Sequence, residues 1–215
     1  MNEVSNYQIN SKTNEKIIII GIIGKNRVGK DTFANLLIHE YDFIKYAFAD
    51  PIKEVAKTLF GFTHQQLEGN EKEVIDPFWG ISPRQFYQVF GTEMMQKDIY
   101  KYVSDMEEKV PQRTFWVRKM EHWIQRKIEE GHSRFVISDV RFIHEATALH
   151  KMGAKLIKIV RPEIPLNTDN QSTQQHISQQ ELDQILPEWI GNEIVNDGDI
   201  SSYLDKIRRV TDVLI

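Results

Sequence analysis

The 215-residue chain contains no cysteine. This absence excludes disulfides and thiolate metal sites, and it is typical of proteins in a reducing intracellular compartment. The chain also has no apolar run near the roughly 20 residues of a membrane-spanning helix, and residues 1–16 are polar, without the apolar core of a signal peptide. We therefore expect a soluble, cytoplasmic protein with no membrane partner and with a flexible tail at residues 1–16.

An excess of positive charge is missing as well. The chain has 27 Lys and Arg residues against 31 Asp and Glu residues, a net charge of -4 and a pI near 6.0. Nucleic-acid-binding domains are typically basic, so this balance argues against a nucleic-acid partner and leaves small anionic ligands open. A hydrophobic content of 40% is enough for a full core, and the length favours a single domain, residues 17–215, with a modest insertion.

β-Branched residues dominate the run Ile17–Ile23, which only Gly21 interrupts. Such a continuous run is typical of a strand that is buried on both faces of a parallel sheet. Further short runs predict strands at 44–48, 135–138, 155–160 and 193–196. Stretches with apolar residues at helical spacing separate these strands. A helix after Asp50-Pro51 is expected to bury one face, formed by Ile52, Val55, Ala56, Leu59 and Phe60, and the last helix a stripe formed by Ile200, Tyr203, Leu204, Ile207 and Leu214. The sequence therefore predicts an α/β, three-layer fold with a five-stranded, mostly parallel sheet.

Two regions depart from this alternation. Residues 63–110 are rich in turn signals and contain one predicted helix, from Pro83 to about Met95, so we interpret them as a helical insertion over the sheet. Residues 166–180 are rich in Asn, Gln, Ser and Thr and predict a lid-like loop. Ser178 and Glu181 form a sequence capping box for a helix that would follow this loop.

The nine residues after the first predicted strand, GKNRVGKDT, nearly match the phosphate-binding pattern G-x-x-x-x-G-K-[ST]. Gly24, Gly29 and Lys30 are in register, and the loop lies between a predicted strand and a predicted helix, which is the context that a P-loop requires. In a P-loop, backbone N–H groups surround an anion at a helix N-terminus, and the lysine bridges the outer phosphates. The sequence therefore predicts a nucleotide site at this loop.

The position that usually carries Ser or Thr is Asp31, and Thr32 follows it. The usual hydroxyl binds Mg²⁺, so both residues are candidate metal ligands. A carboxylate that faces a triphosphate would be repelled by it. We therefore expect Asp31 either to reach the metal ion or to point away towards a cationic partner.

A second stretch, FVISDVRFIHE at 135–145, ends a hydrophobic run with an acid. This is the form of a Walker B element, which would place Asp139 at the carboxyl edge of the sheet beside the P-loop. Arg141 would then lie at the same edge, where its guanidinium can bind phosphate.

Taken together, these stretches resemble the deoxynucleoside monophosphate kinases of large DNA phages and viruses. The family loop reads Gly-x-Lys-Arg-Ser-Gly-Lys-Asp-Thr, and the chain matches it at Gly24, Arg27, Gly29, Lys30, Asp31 and Thr32, but not at Asn26 and Val28. The family's Gly-Pro-Ile-Lys segment is met except that Asp50 replaces its glycine. Other likenesses are Lys53, Arg84, Phe90–Glu93, Trp116-Val117, Asp139, Arg141, His144-Glu145, Val160–Pro162, His176-Ile177 and Asn196–Gly198.

The resemblance implies phosphoryl transfer from ATP, with Mg²⁺, to a deoxynucleoside monophosphate. It implies that Lys30, Arg141 and Asp139 are catalytic and that the loop residues Gly24, Arg27, Gly29, Lys30, Asp31 and Thr32 bind ATP and the metal ion. It assigns the acceptor phosphate to Lys53, Arg84 and Arg141, and the deoxynucleoside to Thr92, Trp116, Asp139 and Glu145. Trp116 could instead be a core residue, Glu145 a solvated first-turn acid and Lys53 a surface residue.

Between Arg161 and Lys206 the chain has neither Arg nor Lys. The loop 166–180 therefore cannot bring a cation to the transferred phosphoryl group. We expect that charge to be met by cations already at the sheet edge, namely Lys30, Arg27, Arg141 and Arg161.

Two other functions fit parts of the pattern. Animal-type phosphomevalonate kinase shares Gly-Lys-Asp, Pro-x-Lys and Ser-Asp-x-Arg, but the segments 91–93, 116–117 and 196–198 resemble the nucleotide kinases more closely. A P-loop binding protein or regulatory NTPase would have no small-molecule acceptor. The sequence does not specify the accepted bases, and a homodimer is only the default expectation for the oligomeric state.

Overall fold

The computed structural model of the chain describes residues 9–162, 185 and 187–215. The chain divides into two compact units, one formed by Met1–Ala47 with Trp123–Ile215 and the other by Phe48–His122. The whole region predicted as an insertion, residues 63–110, falls in the second unit. The expectation of a single domain stays a prediction.

The first unit contains a parallel sheet of five strands in the order β2-β3-β1-β4-β5. The strands are β1 (Ile18–Ile23), β2 (Ile44–Tyr46), β3 (Arg134–Val140), β4 (Lys155–Val160) and β5 (Ile190–Val195). The fold class and the five-stranded parallel sheet predicted from the sequence are thus confirmed. The structure has β2 ending two residues earlier than predicted and β5 beginning three residues earlier.

The helices of the described residues are α1 (Lys30–Tyr41), α2 (Asp50–Phe60), α3 (His64–Leu67), α4 (Pro83–Gln88), α5 (Ile99–Tyr102), α6 (Phe115–Glu129), α7 (Ile143–Lys151) and α8 (Ile200–Leu214). A π-helix, Val89–Asp98, joins α4 to α5, and short 3-10 turns lie at Ser104–Glu108 and Pro187–Trp189. Among the described residues, no helix is long and apolar enough to cross a membrane.

The central strand β1 is buried along its whole length. On one face of the sheet, Ile20 and Ile22 pack in a core with Phe33 and Leu37 of α1 and with Tyr203 of α8. On the other face, a side chain at Gly21 would collide with Leu149 of α7 and Leu156 of β4. Helices therefore cover both faces of the sheet, as in a three-layer α/β fold.

Asp199 is the N-cap of the last helix, α8, and its carboxylate accepts a hydrogen bond from Ser202 N at 2.8 Å. Tyr203, Ile207 and Thr211 lie at a spacing of four residues and form its buried stripe. The sequence-based prediction placed Ile200 on this stripe, and that placement is wrong, because Ile200 is 62% exposed. Ile200 is the first residue of the helix and precedes the turn that reaches the core.

The second unit differs from prediction in two helices. Helix α2 was expected to bury Leu59, but this side chain is 60% exposed and only Ala56 is fully buried. The helix predicted from Pro83 to about Met95 begins as expected, with Ser82 as its N-cap, but it passes into the π-helix at Val89 and continues to Tyr102. π-Helical geometry is rare and often occurs at functional sites.

Part of the segment predicted as a tail has defined packing. Asn10 is fully buried, and its side-chain amide donates to the carbonyls of Ile128 and His132 at 3.1 and 2.9 Å. The Ile128 carbonyl lies in the last turn of α6, where helices leave acceptors unsatisfied, and His132 lies just beyond the helix. Residues 9–16 thus cap α6, whereas the predicted loop 166–180 and the capping box of Ser178 and Glu181 lie outside the described residues.

Candidate active site

Two adjacent strands bring the predicted site together at one sheet edge. In the parallel register of β1 and β3, Ile23 pairs with Val140, the last residue of each strand. Gly24 therefore leaves the sheet beside Arg141, as open parallel sheets place their ligand sites. Asp139 lies inside β3, one residue before the strand ends, and it is buried.

Two glycines of the loop lie where a side chain would not fit. A Cβ at Gly24 would come within 2.7 Å of the Ile159 carbonyl oxygen. At Gly29, φ is 108° and a Cβ would come within 2.8 Å of Asn196 Nδ2. Both glycines are therefore needed for the path of the loop, apart from any contact with a ligand.

Lys30 begins α1 and bends back over the loop. Its Nζ donates to the carbonyl oxygens of Gly24 at 2.8 Å and Lys25 at 2.6 Å. Burial lowers the pKa of Lys30 to about 8, and the charge of Arg141 acts in the same direction, whereas Asp139 and Asp31 raise it. These mutual effects show that the three predicted catalytic residues lie in one electrostatic environment. A bound phosphate would favour the ammonium form.

Asp31 points to a cationic partner. Its Oδ1 accepts from Lys45 Nζ of β2 at 3.3 Å, and its side chain is 85% exposed. Of the two outcomes expected from the sequence, the structure shows the contact with a cation. Thr32, the other candidate metal ligand, is partly buried in the first turn of α1.

Glu145 is fixed to the backbone at the end of β3. Its Oε2 accepts from Arg141 N at 2.8 Å and from Phe142 N at 3.1 Å. Burial raises the pKa of Glu145 to about 8, and the negative charge of Asp139 adds to this shift, while the two backbone hydrogen bonds and Arg141 oppose it. The interpretation of Glu145 as a solvated surface acid is wrong, because the side chain is only 2% exposed.

The loop carbonyls contact two residues from the C-terminal part of the chain. Asn196 Nδ2 donates to the Val28 oxygen at 2.9 Å, and Tyr203 Oη donates to the Gly29 oxygen at 3.0 Å. The sequence pointed to Asn196 only through a family motif and to Tyr203 only as a core residue. Apolar spacing carries no information about where the hydroxyl of a buried tyrosine points.

The remaining cations of the predicted site are exposed. Arg27 is exposed and has φ of 62°, and Arg161 follows β4 with an exposed side chain. His176 lies outside the described residues.

In the second unit, Lys53 already has carboxylate partners. Its Nζ lies 2.7 Å from Glu68 Oε1 and 3.3 Å from Asp50 Oδ1. Burial lowers the pKa of Lys53, but the hydrogen bond with Glu68 and the charge of Asp50 outweigh burial, so the pKa is raised overall. These residues line a cavity of about 290 Å³. Lys53 is therefore more than a solvated surface residue.

Arg84 also has an acidic partner, since its Nε donates to Glu73 Oε1 at 2.9 Å. The pair is partly exposed, and such pairs contribute little to stability. A surface pair of this kind leaves the guanidinium able to exchange partners.

Trp116 is buried in the second unit, and its indole N–H donates to the Gly91 carbonyl at 2.7 Å. Gly91 and the partly buried Thr92 belong to the π-helix. Because the indole is enclosed and its donor is used, the geometry supports the interpretation of Trp116 as a packing residue. That Trp116 stacks on a base stays a prediction.

Comparisons with known proteins agree with the resemblance. A family model described as deoxynucleotide monophosphate kinase matches residues 16–74 and 60–207. A protein of Acanthamoeba polyphaga mimivirus, provisionally named a deoxynucleotide monophosphate kinase, is 32% identical over 201 residues, which cover 91% of this chain and 97% of that protein. The deoxynucleotide monophosphate kinase of Enterobacteria phage T4 is 24% identical, covering 91% of this chain and 99% of that protein.

A solved structure is similar in fold. Dephospho-CoA kinase from Campylobacter jejuni aligns with a TM-score of 0.51 and 14% identity, covering 90% of this chain and 95% of that one. At this identity the likeness shows the fold alone. The family is shown by the family model and by the mimivirus relative. The chain belongs to the deoxynucleotide monophosphate kinase family.

Proposed function

We propose that the protein phosphorylates deoxynucleoside 5′-monophosphates to diphosphates with ATP and Mg²⁺. The observation that carries this proposal is the position of Lys30. Its ammonium group lies on the carbonyls of Gly24 and Lys25, in the electrostatic environment of Arg141 and Asp139. Burial lowers the pKa of this half-buried ammonium to about 8, which means that its charged form is poorly solvated. An anion bound beside it would stabilise the charged form.

The loop supports binding of the ATP phosphates. Gly24 and Gly29 carry no side chain and have no room for one, so at these positions the loop can offer only its backbone to phosphate. Phosphoryl transfer needs little covalent help, and catalysis consists of holding the donor and acceptor in line and neutralising charge. Lys30 and the backbone N–H groups would supply this on the donor side.

Thr32 is the proposed metal ligand, because it carries a hydroxyl one residue after the position that usually binds Mg²⁺. Mg²⁺ is commonly held by one or two protein oxygens together with substrate phosphates and water, and it neutralises phosphate charge when bound. The Asp31 carboxylate is paired with Lys45, which directs it to a cation on β2. Asp31 would therefore reach a metal ion only through water or after leaving Lys45.

Arg141 is the proposed contact to the acceptor phosphate, because a guanidinium binds phosphate through two parallel hydrogen bonds. Its backbone is held by Glu145, which restricts how far the residue can move. The assignments of Lys53, Arg84, Thr92, Trp116 and Glu145 to the acceptor stay predictions from the family resemblance.

A coupled assay of ADP release tests the proposal. Purified protein would receive ATP, Mg²⁺ and each deoxynucleoside monophosphate in turn, with phosphomevalonate as the alternative acceptor. We expect turnover with at least one deoxynucleotide and none with phosphomevalonate. Slow ATP hydrolysis that no acceptor accelerates would favour a regulatory NTPase and refute the proposal.

The role of Arg141 has a separate test with a matched control. Arg141→Ala should lower kcat by about 100-fold or more, because it removes a charged donor from the transferring phosphoryl group. Arg126→Ala removes an exposed arginine from α6 and should leave kcat unchanged. Near-normal turnover of Arg141→Ala would contradict the assignment.

A further inference from the structure

Asn196 and Tyr203 hold two successive carbonyl groups of the phosphate loop from outside. Asn196 lies directly after β5, and Tyr203 lies in the first turn of α8. The Asn196 amide donates to the Val28 oxygen and the Tyr203 hydroxyl to the Gly29 oxygen, at 2.9 and 3.0 Å. The proposed function assigns a role to neither residue.

The direction of these carbonyls fixes the direction of two amide groups. In a trans peptide the C=O and N–H bonds point in opposite directions across a nearly rigid plane. The Val28 carbonyl shares its plane with Gly29 N–H, and the Gly29 carbonyl shares its plane with Lys30 N–H. When the two carbonyls turn outwards to Asn196 and Tyr203, both N–H groups turn away from these residues and become available to an anion.

Both outer residues are themselves held firmly. The backbone N–H of Asn196 donates to the Val160 carbonyl at 2.8 Å, which ties it to the end of β4. Tyr203 is 2% exposed and packs in the same core as Val28 and Phe33. A Cβ at Gly29 would lie within 3 Å of both Asn196 and the Tyr203 ring. The support is therefore rigid and in close contact with the loop.

We propose that Asn196 and Tyr203 are positioning residues that hold the amide groups of Gly29 and Lys30 in their anion-binding orientation before the ligand arrives. The anion is the polyphosphate of the donor nucleotide, so this part of the inference rests on the proposed function. The Gly29 oxygen also accepts from Phe33 N of α1 at 3.1 Å. Without the hydrogen bonds from Asn196 and Tyr203, the Val28–Gly29 peptide would sample other orientations and the Gly29–Lys30 peptide would be held by Phe33 N alone, so binding would carry the free-energy cost of ordering them.

Tyr203→Phe and Asn196→Ala isolate the two donors. Tyr203→Phe keeps the buried ring and removes only the hydroxyl, while Asn196→Ala removes the amide without placing a charge beside the loop. Each change should raise the Kd for ATP about 3- to 10-fold, the factor that corresponds to one neutral hydrogen bond. The KM for the deoxynucleotide at saturating ATP should not change.

Tyr41→Phe is the matched control. It removes a tyrosine hydroxyl that donates to Asp212 at 2.7 Å on the surface, away from the loop, and it should leave the Kd for ATP unaltered. If the Tyr203 and Asn196 variants melt at lower temperature but bind ATP as tightly as the wild type, their role is structural only and the inference is overturned.

A ligand-free measurement separates this inference from the proposed function. In NMR spectra without nucleotide, the amide resonances of Gly29 and Lys30 should shift in Tyr203→Phe and stay in place in Tyr41→Phe. Unchanged resonances would overturn the inference even if the enzyme phosphorylates deoxynucleotides. Shifted resonances in a protein that binds no ATP would uphold the positioning of the amides and refute the proposed function alone.

Discussion

Glu145→Gln tests the buried carboxyl group beside Arg141. In the folded protein, burial raises the pKa of Glu145 from its ordinary 4.5 to about 8. Between these values the folded state holds a proton that the unfolded chain has lost. The free energy of unfolding should therefore decrease as the pH rises through this window.

The size of the effect follows from the two pKa values. One pKa unit corresponds to about 1.36 kcal/mol, so from about pH 5 to pH 8 the group should lower the free energy of unfolding by about 3 to 4 kcal/mol. Other shifted groups act outside this window. The pKa values of Glu40 and Asp197 are lowered by hydrogen bonds with Arg208 and Lys206, so these groups act below the window, and Lys30, with a pKa of about 8, acts above it.

Glutamine keeps the shape of the side chain and has a carbonyl oxygen that can accept from Arg141 N and Phe142 N, but it does not titrate. We expect the wild type and Glu145→Gln to have similar stability near pH 5 and the variant to be the more stable protein near pH 8. Urea unfolding at several pH values measures the difference. Glu188→Gln, an exposed residue, should follow the wild-type profile. Parallel profiles for the wild type and Glu145→Gln would refute the reasoning.

Three further changes test local structure by denaturant unfolding. Gly29→Ala should cost about 2 to 4 kcal/mol from overpacking and backbone strain together, and more than Gly61→Ala, which has positive φ but open space. Equal costs would contradict the collision. Trp116→Phe leaves the buried Gly91 carbonyl without its donor and should lower the free energy of unfolding by about 1 to 3 kcal/mol, with an unchanged KM for the deoxynucleotide. A raised KM at normal stability would instead support the hypothesis that Trp116 stacks on the base. Asn10→Ala should lower the free energy of unfolding by about 1 to 3 kcal/mol, whereas Ser11→Ala, at an exposed position, should leave it almost unchanged. Equal effects would show that residues 9–16 are a flexible tail.

Local patterns predicted much of the fold and of the phosphate loop. The β-branched run before Gly24 determines a buried strand, and the spacing of Gly24, Gly29 and Lys30 is set within seven residues of chain. Asp139 and Arg141 could be placed beside the loop because parallel strands end at a common edge. These inferences needed only neighbouring residues and one general rule about sheets.

Contacts across the sheet could not be predicted in the same way. Lys45 of β2 contacts Asp31 of α1, and Tyr203 contacts Gly29, which is 174 positions away along the chain. Both contacts depend on how separate elements pack, and no local pattern describes that packing. Helical spacing also gave no reason for Leu59 and Ile200 to be exposed, since a stripe of apolar residues does not show how much of it the neighbouring elements cover.

The protonation of Glu145 bears on how the sheet edge attracts an anion. Asp31 is paired with Lys45, and the charges that act on Lys30 at this edge are chiefly those of Arg141, Asp139 and Asp31. With its pKa raised to about 8, Glu145 is neutral at pH 7, and two cations, Lys30 and Arg141, then face one carboxylate, that of Asp139. If Glu145 were ionised, the four charges would cancel. Burying this carboxyl group therefore preserves a net positive potential where phosphate is proposed to bind, without adding another cation.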